Sequence, residues 1–122
     1  AKARTIAVVA HGLDMIYPKE NKELAKEILE CGGAIISEYK IGEKPEKWHF
    51  PARNRIISGL SEKTVVVEAK IKSGSLITAN YALEQGREVY AVPGSIYKKE
   101  AEGTNDLIKQ GASVLTSYND LI

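Results

Sequence analysis

The chain has 122 residues, 43% hydrophobic and 27% charged, with a net charge of +1. That balance describes one small globular domain with a modest core. No stretch reaches the length of a membrane helix, the start lacks the apolar core of a secretory signal, and Cys31 alone cannot close an internal disulfide. A cytoplasmic protein is expected, and in so neutral a chain any affinity for nucleic acid must come from a local patch.

Five short apolar, β-branched runs read as strands: Thr5 to Ala10, Ala34 to Ser37, Thr64 to Ala69, Glu88 to Val92, and Ser113 to Leu115. Continuous runs of this kind predict parallel strands buried on both faces. A first helix is predicted from Asn21 to Cys31, with Leu24, Ala25, Ile28 and Leu29 on one face and Gly32 as a left-handed stop. A second covers Arg53 to Leu60, entered through Pro51 near its first turn. The third starts at Ser73 to Ser75, carries Leu76, Ala79 and Leu83 as its apolar stripe, and ends before Gly86. The fourth covers Asn105 to Gln110, with Thr104 as its cap and Gly111 closing it. Strands alternating with helices predict an α/β fold with right-handed crossovers and a parallel sheet, one domain over residues 1–122. The chain opens almost directly on a strand, without the leading βα units of a complete dinucleotide-binding fold. This predicts a partial core: part of a larger domain, or a sheet edge that a partner covers.

Small and hydroxylated residues follow the strands in FPARNRIISGLS (Phe50 to Ser61), VVVEAKIKSGSLITA (Val65 to Ala79), YAVPGS (Tyr90 to Ser95) and EGTNDLIKQGA (Glu102 to Ala112). A strand running into such a loop and then a helix is how α/β proteins hold phosphates, so a polyanion or nucleotide site is expected at one sheet edge. Ser73, Gly74, Ser75 and Thr78 are candidates for it, and simple capping by Ser73 or Ser75 uses the same geometry. There is no Gly-Lys-Ser/Thr phosphate loop, so no ATP hydrolysis is expected. Gly94, Gly103 and Asn105 belong to the same expected edge, and turns with positive φ are the other use of the two glycines, the turn being preferred. Lys98 and Lys99 form a basic loop or a solvated charge run.

Lys44 to Arg55 interleaves basic and aromatic side chains: Lys44, Lys47, Trp48, His49, Phe50, Arg53 and Arg55, with Asn54. Cations neutralise phosphates and an aromatic face stacks an unpaired base, a contact of roughly 1–3 kcal/mol. The alternative is that Trp48 and Phe50 anchor a loop while the charges are solvated. Arg53 and Arg55 flank Asn54 and cannot face the same way on a helix. Arg53 is assigned to the groove, and Arg55 to a carboxylate such as Glu38 or Glu68. His11 and His49 have no Cys or His at ligand spacing, so no metal site is expected. Asp14 contacts a ribose or caps a turn, the turn being preferred; Glu38 and Glu68 suit structural ion pairing; Cys31 is expected in buried packing.

Taken together, GLDMIYPKEN (Gly12 to Asn21), ISEY (Ile36 to Tyr39), GREVYAVPG (Gly86 to Gly94), GTNDLIKQGA (Gly103 to Ala112) and the FPARN and SGSLITA passages resemble the DprA/Smf family of DNA-processing proteins. The resemblance implies a Rossmann-like three-layer fold that binds single-stranded DNA, forms a homodimer through the region from Leu107 onward, and helps load the RecA recombinase in natural transformation, without catalysis or cofactor. It also implies that Lys47 and Phe50 lie along the strand-binding pocket. The family's core normally begins earlier, with a Gly-Ser-Arg turn and a Ser-Gly-x-Ala-x-Gly-x-Asp segment that do not occur here. Two other functions compete. One is a phosphoribohydrolase of the lysine-decarboxylase-like group, whose Pro-Gly-Gly-x-Gly-Thr run is missing from this sequence. The other is a small-nucleotide sensor.

Overall fold

The computed structural model describes residues 3–122, which divide into two compact units, residues 3–53 and 54–122. In the first, β1 (Ile6–Val8), α1 (Lys22–Glu30) and β2 (Ala34–Ile36) form one βαβ crossover, its strands parallel from Ile6 opposite Ala34 to Val8 opposite Ile36. Helix α2 (His49–Gly59) carries the chain across the division. The second unit repeats the crossover twice through β3 (Lys63–Val66), α3 (Gly74–Glu84), β4 (Glu88–Ala91), α4 (Glu102–Lys109) and β5 (Ser113–Val114), with parallel strand order β3-β4-β5. The α/β class and parallel pairing are those the sequence predicts. The strands lie in a two-stranded and a three-stranded sheet. No helix among the described residues is long and apolar enough to cross a membrane.

Three helices end by the same device. Gly32, Gly86 and Gly111 have φ of 80°, 71° and 106°. Each donates its N–H three residues back, while the next residue reaches the carbonyl five back: Gly33 to Ile28, Arg87 to Ala82, Ala112 to Leu107. This is the Schellman closure, which satisfies the last orphan carbonyls and needs a left-handed residue. The next strand begins one residue later in each case, at Ala34, Glu88 and Ser113. A Gly86→Ala variant has open space for its Cβ but the wrong φ. It should lose about 1 kcal/mol in urea denaturation.

The second unit's core joins Val66, Val89 and Ala91 of the sheet to Ala79 and Ala82 of α3 and Leu107 of α4. Residues 66, 89 and 91 point to one side, so both helices cover that face. Right-handed crossovers that advance in one direction put successive helices on the same side. The other face therefore presents Val65 and Val67, which are exposed. This corrects the expectation of strands buried on both faces, and β1 departs from it too, with Ile6 exposed. On α1 only Ala25 and Ile28 are half-buried, while Leu24 and Leu29 of the predicted stripe are exposed. Cys31, expected in packing, is exposed as well.

Two other local expectations change. Thr104 does not cap α4: a 3-10 turn at Lys99–Ala101 starts the helix earlier, and buried Thr104 donates its hydroxyl to the Ala101 carbonyl at 3.2 Å. Gly94 and Gly103 are not positive-φ turns. A Cβ on Gly94 would meet the Ala101 Cβ at 2.5 Å, and one on Gly103 would meet the Ala69 and Lys70 carbonyl oxygens at 2.6 and 2.9 Å. Both are glycine because neighbours approach closely.

Candidate nucleic-acid interface

In the first unit the basic and aromatic side chains converge as α2 begins. A turn at Lys47 and Trp48 precedes the helix, and Pro51 sits in its first turn, where an N–H has no helical partner to lose. Phe50 is half-buried, 6.2 Å from the Tyr17 ring. The Arg53 guanidinium lies 5.7 Å from the centre of the Phe50 ring, and its Nη1 donates to the Val8 carbonyl at 2.7 Å. Burial lowers the Arg53 pKa from its ordinary value, with Tyr39 acting in the opposite direction. Arginine stays charged regardless. Lys47 and Trp48 are exposed.

Beneath that turn the buried His49 ring fixes the loop. It stacks on Tyr39 at 4.0 Å, meets Trp48 edge-on at 4.1 Å, and places Nδ1 3.0 Å from the Ala10 carbonyl. The Glu46 N–H also points at Nδ1, at 3.3 Å, and Nε2 lies 3.5 Å from the Glu43 carboxylate. His49 is therefore a loop anchor, and no group of three potential metal-ligating side chains occurs among the described residues. Asp14 takes the turn-capping role, accepting the Gly42 N–H at 2.7 Å.

In the second unit, Ser73 caps α3 by accepting the Ser75 N–H at 3.1 Å. Asn54 and Thr78 both reach the Gly74 carbonyl at 3.5 Å, the outer limit of a hydrogen bond. Lys72, just before the cap, holds a left-handed φ of 67°, unusual for a residue with a side chain. Arg55 is exposed on α2, and its carbonyl accepts the Gln85 amide at 2.9 Å.

Gly94, Gly103 and Asn105 meet elsewhere in the same unit, at the carboxyl ends of β3 and β4. The Asn105 amide grips Gly94 reciprocally, accepting its N–H at 3.1 Å and donating to its carbonyl at 3.0 Å. Gly103 donates its N–H to the Ala69 carbonyl at 2.8 Å. The backbone donors expected to face an anion are thus engaged internally. The cleft of about 230 Å³ beside them is lined by Glu68 and Glu100 as well as Lys98.

The structure thus brings Phe50 and Arg53 together, and Asn54, Thr78 and the 73–75 turn together. It gives Gly94, Gly103 and Asn105 structural work. Sequence reasoning did not pair Tyr17 with Phe50, because they are far apart in the chain and share no periodic pattern.

The model of the family described as DNA recombination-mediator protein A matches residues 1–122. The chain is 55% identical over 121 residues to the DNA processing protein DprA of Bacillus subtilis, covering 99% of this chain and 40% of that protein. It is 50% identical over 118 residues to the protein Smf of Escherichia coli, covering 97% and 32% respectively. The X-ray structure of DprA from Streptococcus pneumoniae matches with a TM-score of 0.86 at 50% identity, over 97% of this chain and 41% of that one. A Helicobacter pylori DNA processing protein A, solved to describe its single-stranded DNA binding mode, matches with a TM-score of 0.82 at 32% identity, over 96% and 54%. The chain spans less than half the length of these curated relatives. Its βα order is consistent with part of a Rossmann-like core.

Proposed function

Because this chain belongs to the DNA recombination-mediator protein A family, also called DprA/Smf, we propose that it binds single-stranded DNA in DNA processing and acts without catalysis. The observation that carries this reading is the cluster of Tyr17, Phe50 and Arg53 beside exposed Lys47 and Trp48. It combines an aromatic surface with cations at one turn, the composition that suits an unpaired base and its phosphate. The described single-strand binding of the Helicobacter pylori relative supports the same choice. In the first unit Lys47 and Phe50 contact the strand; in the second, taken by itself, the turn at Ser73, Gly74 and Ser75, with Asn54, Arg55 and Thr78, offers polar contacts. Recognition is of the backbone and of base faces, with little reading of sequence. In the full-length protein, the strand is handed to the RecA recombinase by a homodimer in the cytoplasm.

The test is fluorescence anisotropy of labelled oligo-dT and a matched duplex at low and moderate salt, on protein shown to be folded by circular dichroism. Single strand is expected to bind in preference to duplex. Phe50→Ala should weaken it about tenfold, and Lys47→Ala should reduce the salt slope by about 0.7. Equal affinity of the folded wild type for duplex, or an unchanged Phe50→Ala, overturns the assignment. Release of free base from AMP would replace it with the phosphoribohydrolase reading.

A further inference from the structure

Beyond β4 the chain turns through Pro93 to Lys99, and the turn is held along its length. Asn105 grips Gly94, the Ser95 hydroxyl accepts the Tyr97 N–H at 3.2 Å, the Ser95 carbonyl accepts the Lys98 N–H at 3.1 Å, and the Lys98 carbonyl accepts the Ala101 N–H at 3.1 Å. On this fixed turn the two largest apolar side chains face water: Ile96 is 78% exposed and Tyr97 90%. A side-by-side exposed pair on a tied-down turn gains nothing in the fold from being there.

The surroundings indicate what would cover it. Lys98 and Lys99 follow directly, and both are exposed. The Ala69 N–H donates to the Glu100 carbonyl at 2.8 Å, so the loop with exposed Lys70, Ile71 and Lys72 runs beside the turn. Acidic groups are also near: Glu68 and Glu100 line the cleft at the base of these loops, and Glu102 opens α4. The tip residues Ile96, Tyr97 and Lys99 do not line that cleft.

We propose that the Ile96–Lys99 turn is a second single-strand contact, at which a base stacks on Tyr97 while Lys99 neutralises an adjoining phosphate. The proposal rests on the single-stranded DNA reading above. Aromatic stacking tolerates any base, so this contact adds affinity without sequence preference. Charge complementarity favours a nucleic acid over an apolar protein surface, because two exposed lysines directly follow the exposed apolar pair.

The test combines photocrosslinking and titration. Oligo-dT carrying 5-iodouracil is crosslinked to the full chain, and the modified peptide is identified by mass spectrometry; Tyr97 is the expected site. In anisotropy, Tyr97→Ala should weaken oligo-dT binding about tenfold and Tyr97→Trp should restore it, with folding unchanged. If the wild type binds and Tyr97→Ala binds equally well, this contact is wrong while the first-unit site stands. If the folded wild type binds no single strand, both readings fall. Retention of the wild type on phosphatidylserine vesicles that is lost in Tyr97→Ala, with oligo-dT binding unaltered, would make the turn a membrane contact instead.

Discussion

A Gly33→Ala variant is expected to lose about 3 kcal/mol or more in the first βαβ unit. The added Cβ would lie 2.1 Å from the Thr5 carbonyl oxygen and 2.8 Å from that of Ile28. Neither oxygen is at liberty to move. The Thr5 carbonyl accepts the Ala34 N–H as the β1–β2 ladder begins, and the Ile28 carbonyl closes α1 through the Gly33 N–H itself. Relief requires β1 to part from β2. Gly32→Ala is the internal control: its φ of 80° is unfavourable, but the nearest atom is the Arg4 Nε at 3.9 Å. About 1 kcal/mol is expected there. Hydrogen exchange at the Ala34 and Ile36 amides, which face β1, reads this unit by itself. Equal protection in the two variants would mean that the backbone relaxes around the new methyl group, and the steric argument would fail.

Arg53→Met should lower stability by about 2 kcal/mol and weaken single-strand binding at the same time. The guanidinium joins the Val8 carbonyl to the face of Phe50, so its loss strands a carbonyl and releases the ring that is proposed to stack a base. Arg53→Lys should recover only part of either effect. An ammonium is a point donor and cannot present a planar fork to the carbonyl while lying over the ring. Urea denaturation and oligo-dT titration of both variants separate the roles. Weaker binding with an unchanged unfolding midpoint would place Arg53 on the DNA and remove it from the fold.

That double role goes beyond the assignment of Arg53 to the groove that the FPARNR passage allowed. Helical geometry says that they diverge, but not which one meets a backbone carbonyl from a distant strand. What was legible depended on local rules. Gly32 announced a left-handed helix end, Gly86 and Gly111 marked where the next helices stop, and Ser73 or Ser75 announced a cap, because each role is confined to a few residues. Gly94 and Gly103 were misjudged because a glycine needed for closeness looks the same as one needed for positive φ. Thr104 misled for a related reason: a hydroxyl near a helix start suits a cap, but the preceding 3-10 turn had already shifted the start. The VVV run suggested a strand covered on both sides. Crossover handedness, a tertiary property, left Val65 and Val67 uncovered. Lys47 and Phe50 were named through the family resemblance, whereas Tyr17 came only from the structure.

The repeated glycine closures have a consequence for how the protein tolerates change. All three lie where helices hand over to strands, and they fix the spacing and direction of the crossovers from that end alone. The loops at the opposite ends, at residues 67–73 and 92–98, are relieved of setting strand register. Their exposed side chains are therefore open to exchange. A library that randomises Ile71, Ile96, Tyr97 and Lys98 should yield mostly folded members, whereas one that randomises the three closing glycines should yield few.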